Sequence, residues 1–97
     1  MNGNRQCFLC GRNGSEDPLD RHHCFGGALK RKSEKYGLLV DLCHHDCHIF
    51  GAEAVHNNKE NRLRVQRWAQ RKAMREQGWN TDDFIREFGQ NYLEEET

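Results

Sequence analysis

Two pairs of cysteines restrict the folds open to this chain more than any other feature of its sequence. Cys7 and Cys10 are separated by two residues, and Cys43 and Cys47 by three. Each pair has the spacing of a tight turn, and two such turns can present four thiolates to one tetrahedral zinc ion. The sequence therefore predicts a structural Zn²⁺ site made by these four residues.

The size of the chain makes such a site useful. With 97 residues, of which 35% are hydrophobic and 31% charged, it can bury only a modest core. A fifth cysteine, Cys24, and the lack of a secretory segment favour an intracellular metal site over disulfides. We expect Cys24 to fill the core. His44 or His45 remains an alternative zinc ligand, because the longer spacing of the second pair leaves room for substitution.

The pattern of apolar residues and turn signals predicts a small α+β fold. Residues 19–25 and 37–42 are expected to form the strands of a β-hairpin, joined by a loop or one irregular helical turn over residues 28–36. A long helix is predicted over residues 57–77, with Gly78 as its end. Its apolar face should dock on the hairpin and consists of Val65, Trp68, Ala69 and Ala73.

A short C-terminal helix is expected to follow, with Thr81 as its N-cap and Gly89 as its end. The whole chain, residues 1–97, is predicted to be one domain. Residues 1–75 hold the cysteine turns, the hairpin and the main helix, and residues 76–97 form a C-terminal helical extension. A hairpin between two cysteine pairs, followed by a helix, is the order of elements in a treble-clef zinc finger.

The charge is unevenly distributed along the chain. Residues 1–75 contain 14 Lys/Arg and 8 Asp/Glu, a net charge of +6, whereas residues 76–97 have a net charge of −6. A basic region of this kind attracts polyanions, so DNA is the expected partner. The alternative is that the charges only solvate two faces. The candidate phosphate contacts are Arg21, Lys30, Arg31, Lys32, Arg64 and Arg67.

Four histidines form the second candidate site. His22 and His23 are adjacent on a predicted strand, where neighbouring side chains point to opposite faces. A bend or bulge near Gly26 would allow both to line one cleft. His48 follows the second cysteine pair, and His56 lies just before the long helix. Metal-assisted hydrolysis of a phosphodiester needs imidazoles that bind the cation and one that takes a proton from water.

These motifs together resemble the zinc-containing branch of the HNH, or ββα-metal, nucleases. The resemblance covers nearly the whole chain, and it is closest to short HNH proteins of phages and prophages. It is carried by the cysteine pairs, the His22-His23 pair, His48 and His56, and by the stretches Ser33-Glu34-Lys35-Tyr36-Gly37-Leu38, Val55-His56-Asn57 and Phe88-Gly89-Gln90-Asn91-Tyr92-Leu93.

The resemblance implies a DNA endonuclease. His23 would be the general base, His22 would bind a divalent cation such as Mg²⁺ or Mn²⁺, and His48 and His56 would be candidates for the remaining ligands. Cleavage would leave 5′-phosphate and 3′-hydroxyl ends. The setting would be the bacterial cytoplasm, with a phage-encoded protein as an additional partner. No membrane association is expected, since the longest apolar run, residues 38–40, is short.

Two departures from the family pattern are visible. No asparagine stands between Gly26 and Leu42 to fix the loop between the strands, and Ala52 occupies the position four residues after His48 where the family has a histidine. His56 is expected to take that place after an insertion at residues 49–55. The alternative function is a non-catalytic zinc finger that binds DNA or protein. Paired histidines beside a separate cysteine site favour the nuclease, because a binding finger does not need them.

Overall fold

The computed structural model describes residues 5–93, which form a small α+β structure. Its elements, in chain order, are strand β1 (Leu19–His23), a 3-10 turn (Gly27–Leu29), helix α1 (Lys30–Lys35), strand β2 (Leu39–Cys43), a π-helical turn (His44–Ile49), helix α2 (Lys59–Gln77) and helix α3 (Thr81–Phe88). The expected hairpin, long helix and short C-terminal helix are therefore confirmed. No helix in residues 5–93 combines the length and apolar character needed to cross a membrane.

The two strands form an antiparallel hairpin in regular register. Leu19 pairs with Cys43 and His23 with Leu39, so the second cysteine pair begins where β2 ends. Strand β1 is shorter than predicted, since it ends at His23, and no bulge interrupts the pairing between residues 19 and 23. The chain between the strands is more regular than predicted, because it contains the 3-10 turn and all of α1.

A buried serine fixes the connection between the strands. Ser33 of α1 has no exposed surface, and its Oγ donates to the carbonyl of Phe25 (2.7 Å) and accepts from the N–H of Phe25 (3.1 Å). One hydroxyl thus satisfies both backbone groups of a residue that follows β1 directly. Ser33 therefore ties the residue after β1 to α1, within the connection between the two strands.

Helix α2 buries the predicted face in the core cluster that also contains Val40 and Leu42 of β2. It starts at Lys59 rather than at residue 57, because the side chain of Asn58 accepts from the N–H of Asn61 and caps the helix. It ends at Gly78, which adopts the left-handed conformation (φ 71°). Of the expected apolar face, Val65, Ala69 and Ala73 are buried, and Trp68 is half-buried against Phe8, with ring centroids 5.5 Å apart.

Helix α3 has a different cap from the one predicted. Asn80, not Thr81, is the N-cap, and it forms a capping box with Asp83. The Asn80 side chain accepts from the Asp83 N–H at 2.8 Å, and Asp83 accepts from the Asn80 N–H at 3.1 Å. Thr81 is the first helical residue, because the two bonds between Asn80 and Asp83 cap the helix one position earlier than the sequence pattern indicated.

The C-terminal segment is an integral part of the core. Phe84 and Phe88 of α3 and the half-buried Tyr92 surround Phe25, with ring centroids 4.9 to 5.7 Å from it. Fully buried Gln70 of α2 donates to Asn91 (2.8 Å) and accepts from the Tyr92 N–H (2.7 Å). Contacts of this kind anchor residues 81–93 behind the strand end that carries His22 and His23.

Candidate metal centres

The four cysteines predicted to bind zinc lie together. One Sγ from each of Cys7, Cys10, Cys43 and Cys47 lies within 4.8 Å of the other three. The first pair comes from the turn before β1, and the second from the end of β2 and the π-helical turn. Cys24 lies outside this group and is buried in the hydrophobic core, as expected. The cysteine group could hold a metal ion such as zinc.

Hydrogen bonds around these sulfurs fit a metal-bound thiolate. The Cys7 sulfur accepts from the N–H groups of Cys10 (3.4 Å) and Cys43 (3.5 Å). Burial would raise the pKa of Cys7, but the backbone donors outweigh it and lower the pKa to about 7. Burial and its sulfur neighbours raise the pKa of Cys43 to about 12. Four thiols this close cannot all ionise alone, and a bound cation would supply the missing charge.

The turn that holds the second cysteine pair is fixed by a carboxylate. Asp17, which is only 8% exposed, accepts from the N–H groups of His45 and Asp46, both at 2.9 Å. These two bonds lower the pKa of Asp17. Further along, any side chain at Gly51 would approach the Asp46 carbonyl oxygen too closely for a real contact, so the turn needs glycine there. Both features keep Cys47 and His48 in fixed positions.

The four candidate histidines line one open cleft. The cleft has a volume of about 320 Å³ and is bordered by His22, His23, His48 and His56 together with Arg21, Lys30 and the two glycines after β1. His22 and His23 reach it together although the strand register is regular, because β1 ends at His23. The basic side chains of Arg21 and Lys30 make the cleft attractive to an anion.

Three of these imidazoles have the spacing of a ligand set. One ring nitrogen from each of His22, His48 and His56 lies within 4.8 Å of the others. The His22 ring centroid is 5.1 Å from that of His48 and 6.0 Å from that of His56. Burial, reinforced by the neighbouring imidazoles, lowers the pKa of His22 to about 4, and burial also lowers the pKa of His56. His22 is therefore neutral at pH 7 and has a free lone pair for a cation.

The fourth imidazole has a partner of its own. His23 Nε2 lies 2.7 Å from the Glu34 carboxylate of α1. The His23 side chain is 20% exposed and Glu34 is 63% exposed. Contact with His23 lowers the pKa of Glu34, so the carboxylate is ionised at neutral pH. An ionised carboxylate accepts from Nε2–H, which leaves Nδ1 of a neutral His23 without a proton.

A second carboxylate contacts His48 and one further histidine. Asp20 Oδ2 lies 2.9 Å from His48 Nδ1 and 2.6 Å from His44 Nδ1. The bond from His48, offset in part by burial, lowers the pKa of Asp20, with His44 contributing in the same direction. Asp20, His44 and His48 also have ligand atoms within 4.8 Å of one another. The His48 ring is thus shared between two groups of potential ligands.

The six basic residues proposed for phosphate contact are in different surroundings. Arg21 and Lys30 border the cleft. Arg31 and Arg64 are exposed, and Arg64 bonds to Asn61. Lys32 and Arg67 bind the C-terminal segment. Lys32 donates to the carbonyl of Glu87 (2.6 Å), and Arg67 donates to the carbonyl of Tyr92 (2.9 Å).

Several residues that shape the site did not stand out in the sequence. Asp20 lies two positions before His22, and Glu34 lies within a resemblance motif, but neither had a role assigned to it. The hydrogen-bond partners of Ser33, Asp17 and Glu34 lie 8 to 29 positions away along the sequence. The only local signal was a carboxylate two residues before the paired histidines, which is the spacing of the same face of a strand.

No protein-family model, curated protein or solved structure matches this chain.

Proposed function

We propose that the protein is a metal-dependent phosphodiester hydrolase, a DNA endonuclease of the HNH type. The observation that carries this proposal is the meeting of four imidazoles and two basic side chains, Arg21 and Lys30, in one open cleft. The cysteine group beside it would hold the structural Zn²⁺, and the hairpin followed by α2 would correspond to the treble-clef, ββα-metal arrangement.

The cation site is proposed to consist of His22, His48 and His56. Three imidazole nitrogen donors with an open side suit a divalent cation that keeps positions for water and substrate. Mg²⁺ and Mn²⁺ are the ions expected from the resemblance, whereas imidazole ligands in general favour iron, nickel, copper and zinc. When bound, such an ion supplies positive charge to the scissile phosphate and the departing 3′ oxygen.

His23 is the proposed general base. With Nε2–H directed to Glu34, its Nδ1 can accept the proton of an attacking water as the new phosphorus–oxygen bond forms. Glu34 holds this tautomer and stabilises the imidazolium that results. Arg21 and Lys30 would bind the phosphates that flank the scissile bond, and Arg31 and Arg64 would extend the contact along the backbone. Contacts of this type give affinity and salt dependence without reading bases.

The test is nicking of supercoiled plasmid by zinc-loaded protein, with Mg²⁺ or Mn²⁺ added. His23→Ala should reduce the rate by about a hundredfold or more, as expected for loss of a general base. His45→Ala is the matched control, because His45 is 65% exposed and lies outside the cleft, so its rate should equal that of the wild type. Equal rates for wild type and His23→Ala would refute the proposal.

The same experiment distinguishes the nuclease from the alternative function, a non-catalytic binding module. A wild-type protein that binds plasmid DNA but cuts it with neither cation would be a zinc-finger binding module, in which the histidine cleft only contributes to the surface.

A further inference from the structure

We propose that Asp20, His44 and His48 form a second site for a transition-metal ion such as Ni²⁺ or Zn²⁺. Occupation of this site would withdraw His48 from the cleft. The existence of this second site is independent of the proposed function, whereas its effect on the cleft rests on that proposed function. A nitrogen–nitrogen–oxygen ligand set of this kind is typical of such ions.

The geometry needs little change to accept an ion. His44 and His48 lie four residues apart on the π-helical turn, and Asp20 lies on β1 beside it, so the three ligands come from two firmly joined elements. The imidazole nitrogens are 2.6 and 2.9 Å from the same carboxylate oxygen. Ligand atoms around a tetrahedral zinc are about 3.3 Å apart, so the group must open by only several tenths of an ångström.

The surroundings make this site open and exchangeable. The His44 side chain is 50% exposed and Asp20 is 32% exposed, whereas His48 is 17% exposed. An ion here would keep water in its remaining positions, and it would bind more weakly than an ion enclosed by the four cysteines. Asp17 holds the backbone of the same turn through His45 and Asp46, which limits the loss of freedom when an ion binds.

The two sites are antagonistic because a neutral imidazole has a single lone pair. When Asp20 accepts Nδ1–H from His48, the lone pair is on Nε2 and can serve the cleft. An ion between Asp20 and His44 needs the lone pair on Nδ1. The Nδ1 protons of His44 and His48 then leave to solvent and each Nε2 takes one up, so both rings change tautomer without a net change in bound protons. By linkage, each ion lowers the affinity of the other.

The test counts Ni²⁺ bound to tag-free protein that retains its zinc, by equilibrium dialysis and elemental analysis. Four proteins are compared: wild type, His44→Ala, His22→Ala/His56→Ala, and the triple variant that combines all three substitutions. Antagonistic sites predict about one Ni²⁺ per chain for the first three proteins and none for the triple variant. A constant zinc content and an unchanged far-ultraviolet circular dichroism spectrum verify that each variant is folded.

Two results would overturn the inference. If the His22→Ala/His56→Ala protein binds no Ni²⁺, then Asp20, His44 and His48 are only a hydrogen-bonded group and the second site does not exist. If the wild type binds two Ni²⁺ ions, both sites exist but the tautomer antagonism is wrong. Neither result bears on plasmid nicking by His23, so failure of this inference is distinguishable from failure of the proposed function.

Discussion

Replacement of Ser33 by alanine should destabilise the protein strongly although it removes a single oxygen atom. The hydroxyl bonds to both the N–H and the carbonyl of Phe25, and both residues are almost completely buried. Alanine leaves two buried backbone groups without partners, and each costs about 1–3 kcal/mol. The expected loss is therefore roughly 2–6 kcal/mol, a large fraction of the stability of a domain of this size.

The measurement is urea unfolding of the zinc-loaded protein, followed by circular dichroism. Ser33→Ala should lower the midpoint without changing the slope, and the thermal midpoint should fall by about 10 °C or more. Ser15→Ala is the matched control, since no hydrogen bond of the Ser15 hydroxyl is found within residues 5–93, and it should change the free energy by less than about 0.5 kcal/mol. A Ser33→Ala effect as small as the control would refute the role assigned to this hydroxyl.

Three further predictions concern the two candidate sites. Cys10→Ala should release the zinc ion and unfold most of the protein, whereas Cys24→Ala should retain about one zinc per chain by elemental analysis, because only Cys10 belongs to the cysteine group. The second prediction concerns pH and is tested by urea unfolding without added cation. When the pH is lowered from 7 to 5.5, the free energy of unfolding of the wild type should fall by about 1 kcal/mol more than that of His22→Asn. The sign follows from the lowered pKa of His22, about 4 against its usual 6.5: the unfolded chain takes up the proton first as the pH falls. Equal pH dependence of the two proteins would show that His22 is not desolvated. Finally, Glu34→Ala should slow plasmid nicking about tenfold, and Glu34→Gln less, since an amide oxygen still accepts from Nε2–H of His23; a glutamine variant as slow as alanine would contradict this role.

The parts of the site that the sequence predicted are those in which short-range spacing determines the chemistry. Two residues between Cys7 and Cys10 place both sulfurs on one side of a turn, which is the spacing that a tetrahedral zinc ion needs from a pair of ligands. The adjacent pair His22-His23 is visible in the same way. Hydrophobic periodicity also gave the apolar face of α2, because burial must repeat at the helical period wherever a helix packs on a sheet.

The tertiary structure decided which residues support these groups. Asp20 reaches His48 only because β2 returns antiparallel to β1 and delivers the π-helical turn beside it. Glu34 reaches His23 only because the segment predicted as a loop or one irregular helical turn forms helix α1. Such partners are set by strand register and loop path, which depend on contacts between distant residues and leave no periodic signal in the chain. The sequence therefore determined which atoms were available for metal and proton chemistry, and the fold determined which carboxylate each imidazole contacts.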